Sequence, residues 1–91
     1  MLVFTAKWCK ACQRDKPQVE EMRQRGVKVT EIDWDENPEI FRKYGVTRMP
    51  TYIVLEDGVE VERTEDIILI IGILSAILKI VIPILIPLLF G

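Results

Sequence analysis

The chain has 91 residues, with 14 acidic and 12 basic side chains, two cysteines and no histidine. That length allows one small domain, and a net charge of −2 gives no electrostatic reason to expect nucleic acid as a partner. Two cysteines three positions apart exclude the multi-bridge framework that staples small secreted domains.

Charge is distributed unevenly. All 14 acids and eleven of the 12 bases precede Ile67, leaving residues 1–66 at a net −3, whereas Ile67–Gly91 carries Lys79 alone. The division predicts a polar domain over 1–66 and an apolar C-terminal segment over 67–91. The N-terminus lacks a basic start followed by a long apolar run, so no secretory signal is read and a reducing cytoplasm is the expected compartment.

In chain order, Leu2–Thr5 is a short run of strand formers and predicts a buried strand. Lys10–Arg25 consists mostly of good helix formers, with Ala11, Val19 and Met22 as a thin apolar stripe, Pro17 as a kink and Gly26 as the terminating glycine. Val27–Trp34 alternates imperfectly and predicts a second strand. Asn37 then Pro38 reads as an N-cap followed by the first helical position, opening a short helix that Gly45 ends. Val46–Pro50 is loop, Thr51–Leu55 a strand, Glu56-Asp57-Gly58 a hairpin turn and Val59–Arg63 its returning strand. The order is β-α-β-α-β-β. The Asp33, Asp35 and Glu36 cluster reads as a solvated loop and helix start.

Chemistry is concentrated in Trp8-Cys9-Lys10-Ala11-Cys12. Cysteines at i and i+3 where a strand gives way to a helix sit on one face of the first turn, close enough to bridge. The unpaired N–H groups and positive dipole end of the helix favour a thiolate on the first of them. Lys7 and Lys10 push the same way. Such a thiolate attacks a disulfide, and the second thiol resolves the mixed disulfide. A zinc site would need ligands from elsewhere, since no histidine or third cysteine exists; an inert cysteine pair is the other bland alternative.

Several motifs follow in order: the Trp8–Cys12 segment, Pro17, Ile32-Asp33-Trp34-Asp35-Glu36-Asn37-Pro38, and Tyr44-Gly45-Val46-Thr47-Arg48-Met49-Pro50-Thr51. Over residues 2–63 this series resembles the thioredoxin family. The resemblance implies an α/β thioredoxin-like fold: a central four-stranded mixed sheet flanked by helices, closed by an apolar C-terminal helix. It implies Cys9 as nucleophile, Cys12 as resolving thiol, Trp8, Met49 and Pro50 as the substrate-binding surface, and Pro50 as a cis-proline. It also implies disulfide-containing protein substrates and an upstream thiol reductase, with no organic cofactor and no metal. A redox-inactive module that merely docks through Trp8 and the Pro50 loop is the rival reading.

Three departures stand out. Lys10-Ala11 replaces the family's usual Gly-Pro. Val3 stands where the family often carries a buried acid, with Glu31 on the neighbouring strand as a candidate substitute or an ordinary exposed residue. The family's first strand and helix are not represented, which implies a smaller core.

In Ile67–Gly91, 18 of 25 residues are Ile, Leu, Val or Phe. At about −0.4 kcal/mol each these favour bilayer insertion by roughly 7 kcal/mol, against about 3 kcal/mol for Lys79. A membrane anchor is therefore expected, against an apolar terminal helix buried in an oligomer or an altered end of the reading frame. Gly72–Ala76 resembles the start of the family's last helix, which would then run from Ile77 to Ile82.

Overall fold

A computed structural model describes residues 1–77. Its elements are β1 (Leu2–Thr5), α1 (Lys10–Gln24), β2 (Thr30–Asp33), α2 (Pro38–Tyr44), β3 (Thr51–Glu56), β4 (Val59–Thr64) and α3 (Ile67–Ile77). The sheet order is β2-β1-β3-β4. β1 and β2 run parallel, while β1–β3 and β3–β4 are antiparallel. The mixed four-stranded sheet flanked by helices agrees with the expectation from the motifs.

β1 is central, and alternate side chains point to opposite faces. Val3 faces a cluster with Val19, Met22, Tyr52, Val54, Ile67, Ile70 and Leu74, which packs α1 and α3 onto one side. Phe4 faces Ile32, Phe41, Val46 and Ile53 on the α2 side. There the Phe4 and Phe41 rings meet edge to face at 4.9 Å.

The local signals hold where a backbone constraint stands behind them. Gly45 ends α2 with φ +65°, and Asp57 and Gly58 both take positive φ between β3 and β4, the two-residue turn whose twist suits a hairpin. Other expectations shift. β2 is shorter than Val27–Trp34, because Val27 N–H still donates to the Met22 carbonyl at 3.1 Å and so belongs to the end of α1. Asn37 occupies the N-cap of α2 but its side chain caps nothing; its carbonyl accepts instead from Ile40 N–H at 3.2 Å. The helix runs through Pro17.

The buried stripe of α1 is Cys12, Asp15, Val19 and Met22 rather than Ala11, Val19 and Met22. The last described helix begins at Ile67, so Gly72 lies inside it and does not start it. The boundary drawn after residue 66 falls between β4 and α3, yet Ile67, Ile70 and Leu74 sit in the same cluster as β1 and β3. The rest of the expected anchor, residues 78–91, lies outside the described residues.

α3 lies alongside α1 and in the same direction. Its first turn shares a cleft with Arg14 and Asp15, and its Leu74 and Ser75 share a small apolar gap with Met22 and Arg25. α3 therefore ends beside the C-terminal end of α1.

Ile70 is fully buried whereas Ile68 is 69 % exposed. Ile70→Ala is expected to cost about 2–5 kcal/mol and Ile68→Ala under about 0.5 kcal/mol, read as urea midpoints of the oxidised protein; equal losses would place α3 outside the core.

Candidate active site

The chain turns from β1 into α1 over Ala6–Cys9, where Cys9 N–H donates to the Ala6 carbonyl at 3.1 Å. Cys9 is the N-cap residue of α1, with extended backbone (φ −81°, ψ 110°). Its Sγ accepts from Cys12 N–H at 3.2 Å. Sulfur thus stands where a capping oxygen usually stands, at the positive end of the helix. Cys9 and Cys12 are joined as a disulfide with Cα atoms 5.3 Å apart. Both are nearly buried, packed with Ala6 and against Ala11, Trp34 and Met49.

β3 is antiparallel to β1, so it starts at the end where β1 finishes and delivers the loop before it to the disulfide. The Met49–Pro50 peptide bond is cis, as the resemblance implied. Thr51 Oγ1 donates to the Arg48 carbonyl at 2.7 Å and braces this loop. Pro50 lines a cavity of about 340 Å³ together with Cys12, Lys16, Glu31, Asp33 and Tyr52.

On the other side of the loop, Trp8, Trp34, Phe41, Arg42, Val46 and Met49 line an apolar groove of about 440 Å³. Trp8 is 60 % exposed beside the disulfide. Trp34 and Phe41 meet edge to face at 5.0 Å. A wider cleft of about 950 Å³, bordered by Arg14, Asp15, Thr51 and Asp66, contains neither cysteine.

The other expected residues fall as follows. Lys7 and Lys10 are exposed, and Lys7 Nζ lies 3.9 Å from Glu36 Oε1. Glu31 borders the Cys12 cavity but is about half exposed and faces Arg23 at 3.8 Å. Among the described residues, no three His, Cys, Asp or Glu side chains are placed to hold a metal ion, and no helix is long and apolar enough to cross a membrane.

Two residues escaped the sequence reading. Trp34 packs directly on the cysteine cluster, and its place at the end of an alternating strand was the available sign. Asp15 is only 3 % exposed and accepts a hydrogen bond from Tyr52 Oη at 3.0 Å. Burial first, then the Asp15 carboxylate, raises the Tyr52 phenol above its ordinary value. The sign was periodic: Cys12, Asp15, Val19 and Met22 share one helix face.

A disulfide at a helix N-terminus facing a cis-proline loop defines a thioredoxin-fold dithiol protein. The Thioredoxin family model matches residues 1–76, and the chain belongs to the thioredoxin family. It is 45 % identical over 62 residues to thioredoxin of Bacillus subtilis (strain 168), covering 65 % of this chain and 60 % of that one. The X-ray structure of Fasciola hepatica thioredoxin is similar at TM-score 0.76 and 32 % identity, over 82 % of this chain and 76 % of that one. Nicotiana alata thioredoxin NaTrxh is similar at TM-score 0.77 and 30 % identity, over 87 % and 70 %. The chain spans about three-fifths of the length of the Bacillus relative.

The raised Tyr52 phenol has a pH consequence. The folded state holds that proton more tightly than the unfolded chain, so its contribution is complete below the unfolded value near 10 and is lost as pH rises above it. Urea unfolding of the oxidised protein between about pH 8 and pH 11 is expected to show falling stability above pH ~10, with a shallower fall in Tyr52→Phe. Identical slopes would contradict the assignment.

Proposed function

We propose that the protein is a thiol–disulfide oxidoreductase that reduces or exchanges protein disulfides through Cys9 and Cys12. The observation that carries this reading is the Cys9–Cys12 bridge at the N-terminus of α1, with Cys9 sulfur as the cap.

In the reduced protein, the helix dipole and the Cys12 N–H favour a thiolate on Cys9. That thiolate attacks one sulfur of a substrate disulfide; the substrate S–S bond breaks, and the departing sulfur leaves as a thiolate that takes up a proton. Cys12 then loses its proton and attacks Cys9 Sγ. The mixed disulfide breaks, the second substrate sulfur leaves and is protonated, and the Cys9–Cys12 bond forms. Two electrons pass from the dithiol to the substrate, with one proton from Cys12 and one from solvent, since Cys9 enters as the thiolate. The Cys12 proton leaves toward the cavity bordered by Glu31 and Asp33, whose carboxylates are available to relay it. An upstream thiol reductase restores the dithiol.

Trp8, Met49 and Pro50 would hold the substrate segment beside its cysteine. The apolar groove under Trp8 and Trp34 suits an apolar side chain of that segment.

We also propose that residues 67–91 hold the domain at a membrane with the dithiol in cytoplasmic water. Ile68 and Leu69 are 69 % and 54 % exposed on the outer face of α3, and the sequence beyond it stays apolar to Phe90 apart from Lys79. α3 ends at the pole away from Cys9, about 22 Å along α1 at 1.5 Å per residue, so an anchored domain keeps its sulfurs facing outward.

In dithiothreitol-driven insulin reduction the full chain is expected to accelerate precipitation at least about tenfold, and Cys9→Ser to lose that acceleration. Equal rates would leave a docking module in place of an enzyme. For the anchor, the full chain is expected to float with phosphatidylcholine vesicles while a chain ending at residue 77 stays in the aqueous fraction; a full chain that does not float would overturn it.

A further inference from the structure

Asp15 is a carboxylate on the face of a helix that otherwise packs apolar side chains against a sheet. Among the described residues it is the one charged side chain that is buried, at 3 % exposure. Such a group is costly unless it is bonded. Its Oδ2 accepts from Tyr52 Oη at 3.0 Å, and its Oδ1 accepts from Arg14 Nε at 3.2 Å. The Arg14 side chain is 75 % exposed, so water screens its charge. At Tyr52 the charge of the carboxylate still outweighs that of Arg14, which opposes it.

Cys12 lies one helical turn before Asp15 on the same buried face. Residues three apart on a helix have Cβ atoms about 5–6 Å apart. Tyr52, the partner of Asp15, also borders the cavity behind Cys12. The other charges around that cavity are Lys7, Lys16, Glu31 and Asp33. Those around the Asp15 cleft, besides Arg14, are Arg48, Arg63, Glu65 and Asp66. None of these is buried, so solvent weakens each of them in a way it does not weaken Asp15.

We infer that Asp15 is a positioning residue acting through charge: its buried carboxylate keeps the proton on Cys12 while Cys9 is the thiolate, and so separates the roles of the two sulfurs. The inference rests on the dithiol-exchange reading above. A like charge nearby disfavours the thiolate at Cys12. The helix N-terminus favours it at Cys9, whose sulfur takes the Cys12 N–H. Cys12 then gives up its proton only as it attacks the mixed disulfide, when the departing substrate sulfur becomes available to take a proton in turn.

The test is a titration of both thiols in the reduced full-length chain, followed by cysteine ¹³Cβ resonances, a readout that does not depend on turnover. Failure of insulin reduction would remove the exchange reading without touching this measurement. Asp15→Asn removes the charge and keeps an acceptor for Tyr52. It is expected to lower the Cys12 pKa by about one to two units and that of Cys9 by less. Tyr52→Phe keeps the charge and removes the bond, and is expected not to lower the Cys12 pKa. In the wild type, where folding is not in question, the Asp15 carboxyl resonance is expected to move at the midpoint of the Cys12 titration. A Cys12 midpoint unchanged within about 0.3 unit in Asp15→Asn would overturn the inference. So would an Asp15 resonance silent to Cys12, or a Tyr52→Phe drop equal to that of Asp15→Asn.

Discussion

The structure turns on the junction where β1 becomes α1. A helix must find acceptors for its first N–H groups, and here a sulfur supplies one: Cys9 is the cap of α1 and also the residue assigned the nucleophilic role in the proposed exchange. Capping and reactivity are therefore one constraint. Any backbone change that moves Cys9 out of the N-cap removes the dipole that favours its thiolate, and any change that frees its sulfur leaves the Cys12 N–H without that partner. Topology supplies the rest of the site. Because β3 pairs antiparallel with β1, the residues just before β3 arrive at the end of β1, and the cis Met49–Pro50 bond sits against the disulfide as a consequence of sheet order.

The core that supports this junction is thin. β1 has four residues, and each of its faces relies on one buried side chain. Phe4 anchors α2 through Phe41, and Val3 meets α1 and α3 through Val19 and Ile70. With so little apolar area per strand, α3 is part of the domain's own burial and not an appendage to it. Placing a carboxylate in that core, as Asp15 does, is tolerated because Tyr52 reaches it from β3. The same bond ties the helix that Cys9 caps to the strand that follows Pro50, so one polar contact spans the two halves of the site.

Much of this was legible in the sequence because it is local. Cys9 and Cys12 declare themselves by spacing, Gly45 and Asp57-Gly58 by the backbone angles they permit, and Pro50 by the motif around it. What stayed hidden depends on partners far along the chain. Asp15 reads as one more polar residue in a polar helix until Tyr52, 37 residues later, is seen to meet it. Lys7 and Lys10 flank the cysteine pair in sequence, and no local pattern shows that both side chains lie exposed. Gly72 failed as a helix start because the apolar stripe Ile67, Ile70, Leu74 already has helical spacing, and packing onto Val3 and Val54 rewards extending the helix backward.

The arrangement of α1 and α3 keeps the dithiol apart from the far end of α3. Both helices run away from the disulfide, so the last described turn of α3 lies at the far pole. The groove under Trp8 and Trp34 and the cavity behind Cys12 share no lining residue with α3. The wider cleft touches it through Ile67 and Ile68 at its first turn, and the small gap beside Met22 through Ile71, Leu74 and Ser75. Covering the outer face of α3, whether by lipid or by protein, would leave the groove beside Trp8 and Met49 uncovered. The compatibility of a covered α3 with disulfide exchange is thus geometric: in a parallel helix pair, the end that caps a sulfur lies opposite the last described turn of α3.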